Sequence, residues 1–379
     1  MKVLIASPYY SGVGGLQQYT YRIAVGLHNA GVETIVITCS RVPHTSGPQV
    51  FTLPRLTTIS NTPFSLGWFK SIRRIIDEVD PDIVNGHLPV PYMADVAARV
   101  CGDRPFVLTY HNDAVGITSV TKLLVRAYYE FLGKGTIKRA SHIISTSQLY
   151  AKHSPYLQEY GNKTSAVPPG VDIATFNPTV YSGYVRDKYG LDGHVILFVG
   201  QLSKAHRHKG LRILIRALRD LDERTTLVVV GGGNWLSHYA ADAQHAGVAD
   251  RVVFAGIIPE EEMPLYYRGA DLTVLPTYTD AEGFGMVLAE ANACGRPVIG
   301  TNVGGIPSVI RDQHNGLLVE PGDLRGLVQA IRVVLSDGEL AETLGQNGYK
   351  RMSSEFTWDL AIARTMRVYD GLIYAQLKT

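Results

Sequence analysis

The sequence has little cysteine: its 379 residues include only Cys39, Cys101 and Cys294. Their number is odd, and no two of them stand at the short spacing that is typical of zinc or thiol redox sites. This scarcity excludes a disulfide-stabilised extracellular framework, and we expect three reduced thiols in a cytoplasmic protein.

Long apolar runs are missing as well. No stretch approaches the roughly 18 uninterrupted apolar residues of a helix that spans a bilayer. Met1–Gly12 has one lysine and a strand-length apolar run, which does not fit a signal peptide. The sequence therefore predicts neither a membrane-spanning segment nor a leader.

Neither sign of charge dominates. The net charge of +2 is far too small for a nucleic-acid-binding tract. The distribution is uneven, because residues 1–180 carry 16 Lys and Arg against 11 Asp and Glu, whereas residues 181–379 carry 20 against 23. A mildly basic first half is compatible with an anionic partner such as a membrane surface.

What is present is a well-packed globular composition, 45% apolar and 18% charged, in a chain long enough for two domains. Short β-branched runs alternate with helix-period segments, which predicts parallel sheets covered on both faces by helices. The runs are Val3–Ala6, Thr34–Thr38, Asp82–Asn85, Phe106–Tyr110, His142–Thr146, His194–Val199, Leu227–Val230, Val252–Ala255, Leu272–Leu275 and Pro297–Gly300.

The cadence breaks between Val167 and Pro178, where prolines and a glycine cannot continue a helix or a central strand. We therefore predict two α/β, doubly wound Rossmann-like domains, residues 1–170 and 171–357, with a final helix in residues 358–379 that packs back on the first. Ligands of such folds bind beyond the carboxyl ends of the strands, in a cleft that two facing domains would share.

The loop after the first run, Gly12-Val13-Gly14-Gly15, favours close approach of backbone N–H groups to a phosphate. It is not a dinucleotide fingerprint, because Gln17 replaces the third glycine and no acidic residue follows the second strand. A merely structural turn is the alternative. His111, directly after Phe106–Tyr110, is either a packing residue or a catalytic one.

A basic segment follows the first strand of the second domain: Lys204-Ala205-His206-Arg207-His208-Lys209. It is either a solvated loop or a set of cations for a leaving diphosphate, and we favour the second reading, with Lys209 and Arg207 foremost. Gly231-Gly232-Gly233 would permit close approach to a ligand. The pairs Asp80/Asp82 and Asp220/Asp222 have metal-like spacing but precede strands, so we predict no metal there.

The segment Ala281–Gly295, AEGFGMVLAEANACG, carries two glutamates in an apolar run. If a helix begins near Gly283 or Phe284, Glu282 and Glu290 lie about 12 Å apart. That is more than the ~5–9 Å between acid–base partners on one bond, so we expect them to contact opposite ends of one extended ligand. The structural alternative makes Glu282 a helix cap and exposes Glu290 to solvent. It is hard to reconcile with the apolar residues around Glu290, among which an unpaired charge is costly.

Taken together, these residues resemble the retaining glycosyltransferases of family 4, which have the GT-B fold. The most specific likeness is Glu282-Gly283-Phe284-Gly285 through Glu290, the E-x7-E motif. Its other elements are Gly14-Gly15, His111, Pro169-Gly170-Val171-Asp172, Lys209-Gly210, Phe254-Ala255-Gly256 and Tyr267-Arg268-Gly269-Ala270-Asp271.

The resemblance implies a UDP- or GDP-sugar donor, no cofactor and no catalytic metal. It places Glu282 and the N–H groups of Phe284 and Gly285 at the sugar, and Glu290 at the ribose. Lys209 would bind the diphosphate, and His111 would lie near the sugar and the acceptor. The remaining expected donor contacts are Gly14, Gly15, Gln201, Lys204, Gly233, Ile258 and Gly283.

One departure from the family pattern is Gln201, where relatives usually have arginine after the strand-ending glycine. The second diphosphate cation must then be Arg207 or Lys204. The implied reaction moves a hexosyl unit, of mannose or glucose type, with retention, and we favour front-face substitution.

The acceptor is expected to be a glycan or a lipid-linked glycan. Gly67–Ile76 and Lys122–Phe131 mix cations with aromatic residues at helical spacing. They are either ordinary packing helices or a surface that docks on anionic lipid at the inner face of the cell membrane. The alternative functions are a GT-B sugar-nucleotide epimerase and a non-catalytic sugar-nucleotide-binding protein.

Overall fold

The computed structural model describes residues 1–10, 14–40, 47–59, 62–114, 116 and 119–378. They form two compact units, residues 1–169 with 358–379, and residues 170–357. The chain passes from one unit to the other within the proline- and glycine-containing segment at Pro169 and Gly170, and returns after Thr357. The glycine-rich loop is only partly described, since Gly12 and Val13 lie outside these ranges.

The first unit contains a seven-stranded parallel sheet in the order β3-β2-β1-β6-β7-β8-β9. Its strands are β1 (Lys2–Ala6), β2 (Glu33–Thr38), β3 (Gln49–Thr52), β6 (Ile83–Leu88), β7 (Phe106–Tyr110), β8 (His142–Ser145) and β9 (Thr164–Ala166), and a small hairpin joins β4 (Thr57–Ile59) to β5 (Thr62–Phe64).

Helices cover both faces of this sheet. They are α1 (Gly15–Asn29), α2 (Trp68–Val79), α3 (Met93–Val100), α4 (Ser119–Tyr128), a π-helical turn (Tyr129–Gly133), α5 (Lys134–Arg139), α6 (Gln148–His153), a 3-10 segment (Gln158–Lys163) and α15 (Trp358–Gln376). Side chains of β1 alternate between the two faces: Leu4 and Ala6 join one core cluster, and Val3 and Ile5 join the other. Burial on both faces explains why the strands are continuously apolar.

The C-terminal helix α15 packs on α1 in the first unit. Gly26 of α1 leaves room for Ile362, whose Cδ1 would lie 2.1 Å from a Cβ at that position. At the buried end of the contact, Asn85 Nδ2 donates to the hydroxyl of Tyr369 at 2.6 Å. The last helix thus belongs to the core of the unit that contains the N-terminus.

The second unit contains a six-stranded parallel sheet in the order β12-β11-β10-β13-β14-β15. Its strands are β10 (Val195–Val199), β11 (Thr226–Val230), β12 (Val252–Gly256), β13 (Leu272–Leu275), β14 (Val298–Thr301) and β15 (Leu317–Val319). Its helices are α7 (Tyr184–Tyr189), α8 (Leu211–Ala217), α9 (Leu236–His245), α10 (Met263–Gly269), α11 (Met286–Ala293), α12 (Ile306–Val309), α13 (Leu324–Ser336) and α14 (Gly338–Glu355), with 3-10 segments at Lys204–Lys209, Leu218–Asp220, Ala249–Arg251 and Glu260–Glu262.

One expectation is wrong. The helix after β13 begins at Met286, not at Gly283 or Phe284. Gly285 is its N-cap residue and has a left-handed, non-helical conformation with φ of 93°. Glu282 therefore lies in a loop, and the distance of about 12 Å inferred from a continuous helix does not apply. Among the described residues, no helix is both long and apolar enough to cross a bilayer.

Candidate active site

The loops after β10 and β13 bring Lys209 and Glu282 together. Lys209 Nζ donates to Glu282 Oε2 at 2.7 Å, and the two side chains are 18% and 15% exposed. The sequence placed these residues at the diphosphate and the sugar of a ligand without predicting that they touch. A largely buried ion pair at the carboxyl end of a parallel sheet is a charged site prepared for a polar ligand.

The loop that carries Glu282 is held by a second loop after β14. Gly305 donates its N–H to the Glu282 carbonyl at 2.8 Å, and Gly304 donates to Asp280 Oδ1 at 3.3 Å. A Cβ at Gly305 would lie 1.9 Å from the Gly283 carbonyl oxygen, so only glycine fits there. Phe284 is buried and its ring packs 5.5 Å from that of Phe356. These contacts therefore fix the loop that carries the Glu282 carboxylate.

Lys209 controls the ionisation of this loop cluster. Burial favours the neutral form of Glu282, but the charge and hydrogen bond of Lys209 outweigh it, so the pKa of Glu282 lies below its usual value. Burial, reinforced by Lys209, lowers the pKa of His206 to about 4 and also lowers the pKa of His208. Glu282 is therefore a carboxylate and both histidines are neutral near pH 7.

The basic segment is a 3-10 turn with two kinds of side chain. His206 Nδ1 lies 2.8 Å from Ser203 Oγ, and His208 Nδ1 lies 3.1 Å from the Ala205 carbonyl. Gln201, Lys204 and Arg207 are exposed, and within the described ranges neither of these two cations has a carboxylate at ion-pair distance. The turn therefore combines Lys209, which is paired with Glu282, with two exposed cations, Lys204 and Arg207.

Glu290 is not exposed to solvent as the structural alternative supposed. The hydroxyl of Tyr267, on α10, donates to Glu290 Oε2 at 2.6 Å. Burial raises the pKa of Glu290 to about 7, although the Tyr267 hydrogen bond acts in the opposite direction. A carboxyl group with this pKa changes protonation state in the physiological range.

The glycines after β11 have a structural reason to be glycine. A Cβ at Gly231 would lie 2.0 Å from the Gly200 carbonyl oxygen, and one at Gly233 would lie 2.1 Å from that of Leu202. These two glycines therefore allow the neighbouring loop to approach closely, and an approach to a ligand stays a prediction. Ile258 is half-buried against the core of the second unit, beside Ile257, which is 75% exposed.

In the first unit, His111 belongs to a buried pair of histidines. His111 Nε2 lies 3.3 Å from His87 Nδ1, and the Tyr19 ring packs edge-on at 4.8 Å. Burial lowers the pKa of His111 to about 3, and burial together with His111 keeps the pKa of His87 well below its usual value. His111 is therefore a neutral hydrogen-bonding group rather than a cation.

Gly14 and Gly15 stand at the start of α1 in the same unit, and both are exposed. Gly14 has a φ of 139°, whereas no atom of the described residues lies within 4 Å of a Cβ added at Gly15. The space beside Gly15 is open, so the packing of the first unit does not require glycine there. The pair Asp80/Asp82, for which we predicted no metal, has protein partners: Asp80 binds Arg104 Nη2 at 2.5 Å, and Asp82 accepts the Lys2 N–H at 2.6 Å.

Sequence reasoning missed His87 as the partner of His111 in the first unit. In the second unit it missed Tyr267 as the partner of Glu290, and Asp280 and the Gly304-Gly305 pair as part of the loop contacts around Glu282. Tyr267 meets Glu290 only because α10 packs on α11, a contact between segments 23 residues apart. Gly304-Gly305 at the end of a strand was the available signal, since paired glycines there often mark close backbone approach.

The sequence matches two family descriptions, "Glycosyltransferase Family 4" over residues 13–175 and "Glycosyl transferases group 1" over residues 186–351. O-antigen chain mannosyltransferase C of Escherichia coli is 30% identical, and the alignment covers 98% of this chain and 99% of that protein. GDP-mannose-dependent alpha-(1-6)-phosphatidylinositol monomannoside mannosyltransferase of Mycolicibacterium smegmatis is 30% identical over 79% of each chain.

Solved structures share the fold over almost the whole chain. Sucrose-phosphate synthase of Thermosynechococcus elongatus has a TM-score of 0.81 at 24% identity, covering 99% of each chain. Anabaena HepE in complex with UDP and glucose has a TM-score of 0.78 at 20% identity, covering 98% of this chain and 99% of the other. The two Rossmann-like units thus have the GT-B fold. The chain belongs to glycosyltransferase family 4, as its sequence motifs indicated.

Proposed function

We propose that this glycosyltransferase moves a hexosyl unit from a UDP- or GDP-sugar to a hydroxyl of a glycan or lipid-linked acceptor, with retention and without a catalytic metal. The observation that carries the proposal is the Lys209–Glu282 pair, with 2.7 Å between Nζ and Oε2 in a largely buried loop cluster. The pair offers a cation for a diphosphate and a carboxylate for sugar hydroxyls side by side.

In this proposal the second unit binds the donor. Glu282, with the N–H groups of Phe284 and Gly285, binds sugar hydroxyls, and Glu290 accepts hydrogen bonds from the ribose. Lys209 neutralises the diphosphate together with the exposed Arg207 or Lys204, which replaces the cation absent at Gln201. The half-buried Ile258 and the exposed Gly233 contact the nucleoside, and Gly283 leaves space beside the sugar.

The first unit contributes neutral groups. Gly14 and Gly15 let backbone approach the diphosphate, and His111 donates or accepts a hydrogen bond near the transferred sugar. A neutral His111 suits this role, because its pKa of about 3 keeps a positive charge away from the electron-poor anomeric carbon.

We propose front-face substitution as the chemical step. The bond between the anomeric carbon and the diphosphate oxygen breaks, and the acceptor oxygen bonds to the same face of that carbon. The departing diphosphate takes the acceptor proton, so a nucleoside diphosphate and a glycoside are the only products. Lys209 stabilises the negative charge that develops on the diphosphate, a contribution of a few kcal/mol for one well-placed donor group.

The experiment is a screen of UDP- and GDP-linked glucose and mannose with a membrane lipid extract as acceptor, following nucleoside diphosphate release. Transfer requires release that depends on acceptor, with Glu282→Ala abolishing it. An altered sugar without release supports the epimerase, and binding without either supports a non-catalytic protein; the comparisons favour neither alternative. The anomeric configuration of the product, read by proton NMR, and activity in the presence of EDTA test retention and metal independence.

A further inference from the structure

Helix α4 leaves three of its apolar side chains exposed, although Val125 and Tyr128 pack against the core. None of its residues is buried, and Val120, Leu123 and Leu124 are 67%, 68% and 52% exposed. At about 100° per residue these three fall within an arc of about 100°, a single stripe along the helix. Phe131, in the π-helical turn that follows, is 81% exposed. Four large apolar groups exposed at consecutive turns are more than scattered surface hydrophobics.

The other end of the segment is firmly anchored in the first unit. Tyr129 is buried, its ring stacks 3.5 Å from that of Tyr156, and its hydroxyl lies 2.8 Å from that of Tyr110. The hydroxyl of Tyr128 donates to Asp95 Oδ1 at 3.3 Å. The exposed stripe is therefore attached to residues that are packed in the core of the first unit.

Cations lie to one side of the stripe, about 60° (Arg126) and about 100° (Lys122) around the helix from Leu123. Helix α4 carries the exposed residues Lys122 and Arg126 and has no acidic residue. In the following turn, the one acidic side chain, Glu130, is neutralised by Lys134 at 2.7 Å. This segment is therefore positively charged next to its apolar side chains.

Helix α2 adds to the same layer, because Trp68 and Ile72 of α2 and Tyr129 of the π-helical turn belong to one core cluster on one face of the sheet. Its exposed cations are Lys70, Arg73 and Arg74, of which Arg73 lies 3.9 Å from Asp77. Leu66 just before the helix is 70% exposed. The combination of cations and apolar side chains thus extends beyond α4 on this face.

We infer that α4 and the turn to Phe131 form a docking surface for an anionic lipid bilayer. Leu123, Leu124 and Phe131 enter the boundary between headgroups and acyl chains, and Lys122 and Arg126 bind the headgroup phosphates. A protein partner is a poorer match, because lysine is depleted in the cores of protein interfaces. The inference extends the proposed function, which supplies a lipid-linked acceptor, but docking itself needs no turnover.

The test is co-flotation of the full chain with vesicles of phosphatidylcholine, with and without phosphatidylglycerol, in the absence of donor. We expect binding only to the anionic vesicles, weakened by salt. The double variant Leu123→Ser/Leu124→Ser should lose at least about 10-fold in affinity through lost apolar burial. Lys122→Gln/Arg126→Gln should lose about 30-fold, at roughly a tenfold loss per 1.4 kcal/mol and about 1 kcal/mol per cation.

The matched control is Leu377→Ser, since Leu377 is also 81% exposed but follows α15, which packs on the opposite face of the sheet. This variant should bind vesicles like the wild type, and all variants should keep the wild-type melting temperature. Absence of wild-type binding, or equal losses for the control and the Leu123/Leu124 variant, overturns the inference. So does dimerisation that the Leu123/Leu124 variant abolishes in light scattering without any vesicle binding.

Failure of docking is distinguishable from failure of the proposed function. If docking alone is wrong, acceptor-dependent release of nucleoside diphosphate persists and does not respond to the α4 variants. If the transferase assignment is wrong, release is absent while vesicle binding is unchanged.

Discussion

The two units differ in charge at corresponding places, the carboxyl ends of their parallel sheets. The first unit has the buried, neutral His87–His111 pair with 3.3 Å between nitrogens. The second has the ionised Lys209–Glu282 pair at 2.7 Å. One fold pattern thus supports a neutral, apolar environment in one unit and a charged one in the other. This difference suits a division in which the second unit binds the charged part of a donor and the first supplies uncharged contacts.

Removal of the charge in the second unit should have the largest effect. Lys209→Ala is expected to lower kcat/KM by about 10²- to 10³-fold, because it removes the stabilising cation and leaves the Glu282 carboxylate unpaired. Steady-state kinetics with the donor found in the screen measures it. Lys350→Ala, an exposed lysine on α14 of the same unit, is the control and should be neutral. A Lys209→Ala enzyme with normal kinetics would remove the central residue from the site.

The next effect concerns the carboxyl group of Glu290. Tyr267→Phe removes the 2.6 Å hydrogen bond that opposes the effect of burial, so the pKa of Glu290 should rise above about 7. A protonated Glu290 is a poor acceptor of hydrogen bonds from the ribose hydroxyls. We therefore expect KM for the donor to increase about 10-fold at pH 7 with little change in kcat. The increase should diminish at pH 9, as the carboxylate returns.

Tyr266→Phe is the control for this substitution, because the Tyr266 hydroxyl contacts that of Tyr189 at 2.9 Å instead. Its pH profile should match the wild type. If Tyr267→Phe raised KM equally at every pH, Tyr267 would act by packing alone and not through the ionisation of Glu290.

The strands and the family were readable from the sequence because β-branched runs and closely spaced motifs are local signals. Phe106–Tyr110 and Leu272–Leu275 have the predicted bounds. The short strands Gln49–Thr52 and Leu317–Val319 were not predicted, since three or four half-buried residues give no clear periodicity. The strand predicted as Asp82–Asn85 continues to Leu88. Because the predicted strand ended too early, His87 was not recognised as a residue at its carboxyl end.

The geometry of the site was less predictable. That Gly285 is left-handed, so that the helix starts at Met286, depends on how the loop packs against Gly304-Gly305, which lies beyond local sequence. The contacts of Glu282 with Lys209 and of Glu290 with Tyr267 join segments 73 and 23 residues apart. Side-chain type identified the glutamates as unusual, but only tertiary packing decides their partners.

The neutral histidines of the first unit should make stability depend on pH. The unfolded chain binds a proton at His111 below about pH 6.5, whereas burial delays this in the folded protein until about pH 3. The free energy of unfolding should therefore fall as the pH decreases from about 6.5, by about 1.4 kcal/mol per pH unit for one such histidine.

His111→Gln should reduce this slope by about one proton, measured by urea unfolding between pH 7 and pH 5. His153→Gln replaces an exposed histidine of the same unit and should leave the slope as in the wild type. An unchanged slope for His111→Gln would show that His111 binds its proton equally well in the folded and unfolded states. The first unit would then not hold His111 neutral by burial, and the contrast between the two units would no longer stand.

The smallest change is a single methyl group at Gly15. Gly15→Ala introduces a Cβ that has no atom of the described part of the chain within 4 Å, and the φ of Gly15 is not positive. The substitution should therefore raise the free energy of unfolding by about 0.4–1 kcal/mol. Gly371→Ala on α15 meets the same open space and should stabilise by a similar amount. Thermal melts of both variants therefore serve as mutual controls.

If the diphosphate approaches Gly15, only Gly15→Ala should raise KM for the donor, because its methyl group occupies space that the described residues leave free. Equal kinetics for the two variants would make the glycine at the start of α1 a structural residue, and donor binding would then rest on the charged unit alone.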